Sequence, residues 1–181
     1  MQLDYKEHLN KLVQKKKKDI PTVLTDLAIK NIFEILEETP RYLNSVSNRF
    51  DESGSLEPII VGKRSFRETV IHLLNIENLN YTTVYPAFLL NIPKVYPLHA
   101  ERDLDRLNLF INFQMSDLLL TFDFERRKSL SFLRSLKKSD WSRELIGENK
   151  ERHETIYWRA RGLAIHDYTH IHILKFQLGE L

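Results

Sequence analysis

The chain has 181 residues, enough for one domain with a substantial core and cramped for two. A formal net charge of +2 gives no electrostatic footprint for nucleic acid, and the absence of cysteine excludes disulfides, thiolate metal ligands and a cysteine nucleophile. Hydrophobic residues make up 42% and charged residues 29%, and five glycines with six prolines favour long helices over a turn-rich β fold.

The N-terminal stretch MQLDYKEHLNK has no apolar h-region, and no apolar run reaches membrane-spanning length. The expectation is a cytoplasmic protein without a membrane partner. Residues 1–18 read as a polar leader with a short helix over 4–18, and the basic run QKKKKD reads as solvated. Residues 19–181 read as one domain. Leu24, Leu27, Ile32, Ile35 and Leu36 recur near helical spacing, with Pro40 expected to disturb or end this first long helix. Residues 48–64 carry Gly, Pro and clustered polar groups and read as a loop.

Ser65 with Glu68 three positions on forms a capping box that opens a second helix through about Thr83. Pro86, Pro93 and Pro97 break up residues 86–114, which read as a long connection with short helical pieces. Ser116 is a candidate N-cap for a third helix reaching about Leu136. After a loop-like stretch, Thr155 starts a fourth helix that runs nearly to the C-terminus. Four long helices with one long crossover describe an all-α bundle.

That last helix carries AIHDYTHIHILK, with three of the seven histidines. At 3.6 residues per turn, His166 and His170 lie about 40° apart on one face, and His172 lies about 160° from His170. Leu163, Ile173 and Leu174 share the face of the pair, so His166 and His170 point into the bundle and His172 points away. Two imidazoles at i and i+4 can chelate a metal. They are equally readable as core histidines hydrogen-bonded to their neighbours. His72, mid-helix among apolar residues, is the candidate third ligand, although a lone histidine in that setting is more often structural. Glu68, one turn before it, could orient its ring, join the site as a ligand or act as a base, roles that compete with the capping box. His8, His99 and His153 read as surface histidines, with His153 near enough to the fourth helix to border a pocket mouth. Tyr81, Tyr85, Phe113 and Tyr157 read as packing residues that could also reach such a mouth.

Three blocks, SFRETVIHLLNIE, TFDFERRKSLSFLRSLKKSDWSR and ETIYWRARGLAIHDYTHIHIL, occur in the order found in the DinB/YfiT-like superfamily of metal-binding four-helix bundles. The chain resembles that family from about Leu24 to Leu178. A histidine four positions after a glutamate on the second helix, a DW.R segment and an HDxxH pair on the last helix carry the resemblance. It implies an up-down-down-up bundle with the crossover between helices 2 and 3. It implies metal ligation by His72, His166 and His170, with zinc or nickel as the divalent ion. It also implies a small-molecule thiol and an electrophile as partners of a metal-dependent S-transferase. A metal-dependent hydrolase and a non-catalytic, stress-related metal-binding protein are the alternatives. The outward face of the last helix, with Trp158, Ile165 and Tyr168 around Arg161 and His172, predicts cover by a second copy in a homodimer or by a docked leader.

Overall fold

The computed structural model describes residues 2–96, 98–148 and 151–181, with the side chains of residues 2–4, 81 and 101 outside that description. Six α-helices occur in it: α1 (Gln2–Asp19), α2 (Asp26–Ser47), α3 (Glu52–Leu56), α4 (Phe66–Leu89), α5 (Met115–Ser135) and α6 (Ile156–Gln177). The four long helices α2, α4, α5 and α6 form the bundle, with α2 and α4 each packed between α5 and α6. No helix among the described residues is long and apolar enough to cross a membrane.

Two apolar clusters fill the bundle. One gathers Ile32 and Leu36 of α2, Val84 of α4, Leu130 and Leu133 of α5 and Ala160 of α6. The other gathers Leu43, Phe66, Leu73, Leu118 and Leu174. The N-terminal halves of α2 and α6 therefore meet the C-terminal halves of α4 and α5. The chain returns from the end of α4 to the start of α5 through residues 90–114.

Between the clusters sits Arg126, fully buried, on the face of α5 that also carries Phe122, Leu130 and Leu133. Its guanidinium donates to Glu77 of α4 through Nε at 3.0 Å and lies 2.8 Å from it through Nη2. Nη1 donates to Asp167 of α6 at 2.7 Å and to the Leu36 carbonyl of α2 at 3.0 Å. One side chain thus ties all four bundle helices together. Pro40 explains the last bond. It lies inside α2, which continues to Ser47 instead of ending near it. A proline lacks the N–H that would bond the carbonyl four residues back, which here is Leu36. Arg126 supplies that missing donor, so the helix survives its proline.

The helix termini are secured by specific groups. Ser65 and Glu68 form the capping box of α4: Ser65 Oγ accepts from the Glu68 N–H at 3.1 Å, and Glu68 Oε2 accepts from the Ser65 N–H at 2.8 Å. Thr155 caps α6 by accepting from the Trp158 N–H at 3.1 Å. Two expectations change. Pro86 lies inside α4, so that helix extends to Leu89, and Arg143 donates to the carbonyls of Ala87 and Leu90 at its end, at 3.0 and 3.1 Å. Helix α5 begins at Met115 and its cap comes from a distant residue instead of Ser116: the Glu52 carboxylate of α3 accepts from the Met115 N–H at 3.0 Å and pairs with Arg67 at 2.9 Å.

A small sheet closes the end of the bundle where α6 begins. It has the order β1 (Lys94–Val95), β2 (Glu144–Gly147), β3 (His153–Thr155), with β1 parallel and β3 antiparallel to β2. These strands of two to four residues fall in stretches read from sequence as connections. The leader is helix α1, and it lies along α6. Tyr5 stacks on Phe176 with ring centroids 3.6 Å apart, Lys16 sits over the Tyr168 ring at 5.2 Å, and Arg161 donates to the Ile20 carbonyl at 2.6 Å. On the outward aromatic strip of α6, Lys16 of α1 lies over Tyr168, whose ring meets that of His172, while Arg152 and Arg161 lie over Trp158.

Arg126→Leu leaves two buried carboxylates uncompensated and should lower stability by about 3–5 kcal/mol in urea unfolding. Pro40→Ala restores an N–H for the Leu36 carbonyl. It should therefore stabilise the Arg126→Leu variant more than it stabilises the wild type. Equal effects in the two backgrounds would show that Arg126 does not compensate for the proline.

Candidate metal centre

Helix α4 places His72 between Ile71 and Leu73, and helix α6 places His166 and His170 one turn apart on the facing side. The three rings converge. Nε2 of His72 and Nε2 of His166 are 3.1 Å apart. The ring centroids of His72 lie 5.1 Å from His166 and 4.6 Å from His170, and those of His166 and His170 are 4.4 Å apart. One ring nitrogen from each residue lies within 4.8 Å of the other two. Metal–nitrogen bonds of about 2.0–2.1 Å at tetrahedral angles separate two donors by about 3.3 Å, so the donor set fits one divalent ion.

The electrostatics suit that ion. His72 is 4% exposed and His170 is mostly enclosed. Burial, followed by the neighbouring His166 and His72 and the charge of Arg64, pushes His170 from 6.5 down to about 3. Such an imidazole is neutral at physiological pH and offers a lone pair. Beneath the rings, Asp167 sits beside His166, with Oδ1 4.0 Å from Nδ1 of the ring. Burial alone would raise the Asp167 pKa, but Arg126 overcomes it and holds the carboxyl below its usual value. Burial likewise opposes the Arg126 charge, and Asp167 with Glu77 reverses that and raises its pKa. The ionic cluster that joins the helices thus reaches the residue next to a ligand histidine.

Two clefts have one of the three histidines in their walls. One, of about 390 Å³, has His166 in its wall with Thr83, Trp158, Arg159 and Leu163. The other, of about 480 Å³, has His170 in its wall.

The remaining candidates take other places. Glu68 is exposed and its carboxylate accepts from the Ser65 N–H in the capping box. His172 faces away from the pair, its ring 3.9 Å from that of Tyr168 and its Nδ1 2.8 Å from the Tyr168 carbonyl oxygen. His153 pairs with Glu144 at 2.6 Å on the hairpin, while exposed His99 lines the cleft at His166. Tyr85 packs edge-on against Phe132 at 4.7 Å, and the Tyr157 hydroxyl donates to the Pro21 carbonyl. The Phe113 carbonyl accepts from Arg67. The Tyr81 side chain lies outside the described residues.

Sequence reasoning missed Arg126 and Glu77 and gave Asp167 no task. A signal was present. Arg126 occupies the heptad of Leu119 and Leu133, Glu77 that of Val70 and Val84, and Asp167 that of Ala160 and Leu174. Three charges at core positions on three helices imply a buried ionic cluster.

No family model and no curated protein matches the chain. The fold is that of YfiT from Bacillus subtilis, reported as a probable metal-dependent hydrolase with an unusual four-helix bundle topology. The two superpose with a TM-score of 0.74 at 17% sequence identity, over 88% of this chain and 92% of YfiT.

Purified protein should carry one divalent ion per chain. His72→Ala, His166→Ala and His170→Ala should each lose most of it by elemental analysis, and His172→Ala should retain it. Equal loss in all four variants would contradict the orientation of α6.

Proposed function

We propose that the protein is a metal-dependent S-transferase that joins a low-molecular-weight thiol to an electrophile, with zinc or nickel held by His72, His166 and His170. The carrying observation is the donor set itself: three converging imidazoles, with His166 and His170 each in the wall of a cleft. Neutral ligands leave the double positive charge of the ion uncompensated, so when bound it supplies Lewis acidity that lowers the pKa of a thiol or water reaching the site. The protein supplies placement. Buried His72 is fixed by the core, and His166 and His170 are fixed by the rotation of α6, which Arg126 sets through Asp167. The cleft at His166 offers Trp158 and Leu163 as apolar surface for an electrophile beside the nucleophile. In the transfer, a sulfur–carbon bond forms, the leaving group departs with its electron pair, and the thiol proton passes to solvent.

A hydrolase is the second reading, and one observation favours it. Glu154 lines the same cleft as His166 and is a carboxylate that could serve as a base for water. Against that role, its Oε2 is engaged in an ion pair 2.6 Å from Nε of Arg159. Glu68 is engaged in capping.

The assay is loss of thiol in the presence of a chlorinated aromatic or a bimane, with and without added metal, alongside ester and amide substrates. The expected result is metal-dependent thiol consumption that survives Glu154→Gln and Glu68→Gln. Turnover of esters or amides that is abolished by Glu154→Gln with the metal retained, and no consumption of any thiol, would replace the transferase with the hydrolase.

A further inference from the structure

Helix α5 buries one side in the bundle and leaves a partly apolar side bare. Leu118, Phe122, Ser129 and Leu133 are buried, and at about 100° per residue the outward line of the helix runs opposite Phe122. Leu120 and Phe124 fall about 20° to either side of that line. They are 67% and 54% exposed, so the middle of the outward face carries two large apolar side chains where a bundle helix ordinarily carries polar ones. Two such residues alone are ordinary on a protein surface. Their charged neighbours set this pair apart.

Asp117 stands three residues before Leu120 and Arg127 three residues after Phe124. Both are exposed, and both lie within about 40° of the same outward line. The four side chains are placed symmetrically about Phe122, with Leu120 and Phe124 two positions away and Asp117 and Arg127 five. A half-turn about an axis level with Phe122 therefore exchanges Leu120 with Phe124 and Asp117 with Arg127. The face is its own complement, apolar on apolar and acid on base. Arg127 pairs with Asp123 at 3.0 Å, and with its side chain 67% exposed the five N–H groups of its guanidinium leave room for a second carboxylate.

We infer that the outward face of α5 docks a second copy of this chain, the two α5 helices packing antiparallel about a two-fold axis level with Phe122. Leu120 of each copy meets Phe124 of the other, and Asp117 of each meets Arg127 of the other, so one contact is made twice, as a two-fold interface requires. Parallel packing would set Asp117 against Asp117 and Arg127 against Arg127, and like charges reject it. A face acidic at one end and basic at the other also offers no single-sign field for nucleic acid or an anionic membrane. One pair of helices buries less than the roughly 800 Å² per partner of a standard stable complex, so the dimer is reversible and depends on concentration. His72, His166 and His170 stand on α4 and α6, so pairing through α5 uses none of them and does not rest on the metal-centre reading.

The test is sedimentation velocity of the full chain over a range of concentrations, at low and at raised salt. The wild type should pass from monomer to dimer as concentration rises, and salt should weaken the dimer without abolishing it. Leu120→Gln/Phe124→Gln, at exposed positions that leave the core untouched, should raise the dissociation constant at least tenfold. Asp117→Arg and Arg127→Asp should each weaken self-association, because either one sets like charges against each other. An equimolar mixture of those two variants should recover it, since one chain then presents arginine at both positions and the other aspartate. Circular dichroism matching the wild type checks that each variant is folded. A wild type that stays monomeric at every concentration overturns the inference. A dimer untouched by Leu120→Gln/Phe124→Gln overturns it as well and places the interface on another face. A mixture of folded variants that associates no better than either alone overturns the antiparallel register on which the docking face was argued.

Discussion

The guanidinium of Arg126 is the interaction on which the rest of the structure depends. A charge of that size is expensive to bury, and it is tolerated only where carboxylates and a free carbonyl surround it. Glu77, Asp167 and the Leu36 carbonyl meet that demand from three different helices. The geometry restricts how α4 and α6 can rotate and slide, because both carboxylates must reach one planar group. His72 lies five residues before Glu77 on α4, and His166 adjoins Asp167 on α6. Fixing the ionic cluster therefore also aims the histidines. The apolar clusters on either side would tolerate small slips of register, whereas the ionic cluster makes such slips costly.

Much of this was legible in the sequence because the governing forces are local. The Ser65–Glu68 box and the Thr155 cap depend on residues three apart, and both form as the spacing predicts. The inward pair on α6 and the outward His172 follow from helical periodicity alone. What was not legible depends on partners remote in sequence. Pro40 reads as a breaker until a donor 86 residues away is seen to take the Leu36 carbonyl. Ser116 reads as a cap until Glu52 takes that place. The strands are too short for an alternating pattern to register, since β1 has two residues. The leader is polar by composition, yet its contacts with α6 come from a few side chains, Tyr5 and Lys16, set among lysines, with the Ile20 carbonyl just beyond it.

The site combines a rigid donor set with unlike surroundings. The three imidazoles come from two helices, His72 from α4 and His166 with His170 from α6. The cleft at His166 is bordered by the hairpin and the connection between α4 and α5, with an aromatic ring, a paired carboxylate and a paired arginine in its wall. The cleft at His170 is bordered by α1. Two clefts of different character beside one donor set suit a reaction with two substrates.

The central claim is that the fold converges three histidines on one incompletely coordinated ion. The most direct measurement is the anomalous-scattering crystal structure of the full chain loaded with zinc or nickel. The account predicts a single ion within about 2.0–2.2 Å of one nitrogen each from His72, His166 and His170, with at least one position held by no protein atom. An ion bound elsewhere, one that leaves out any of the three, or one closed by a fourth protein ligand would contradict it.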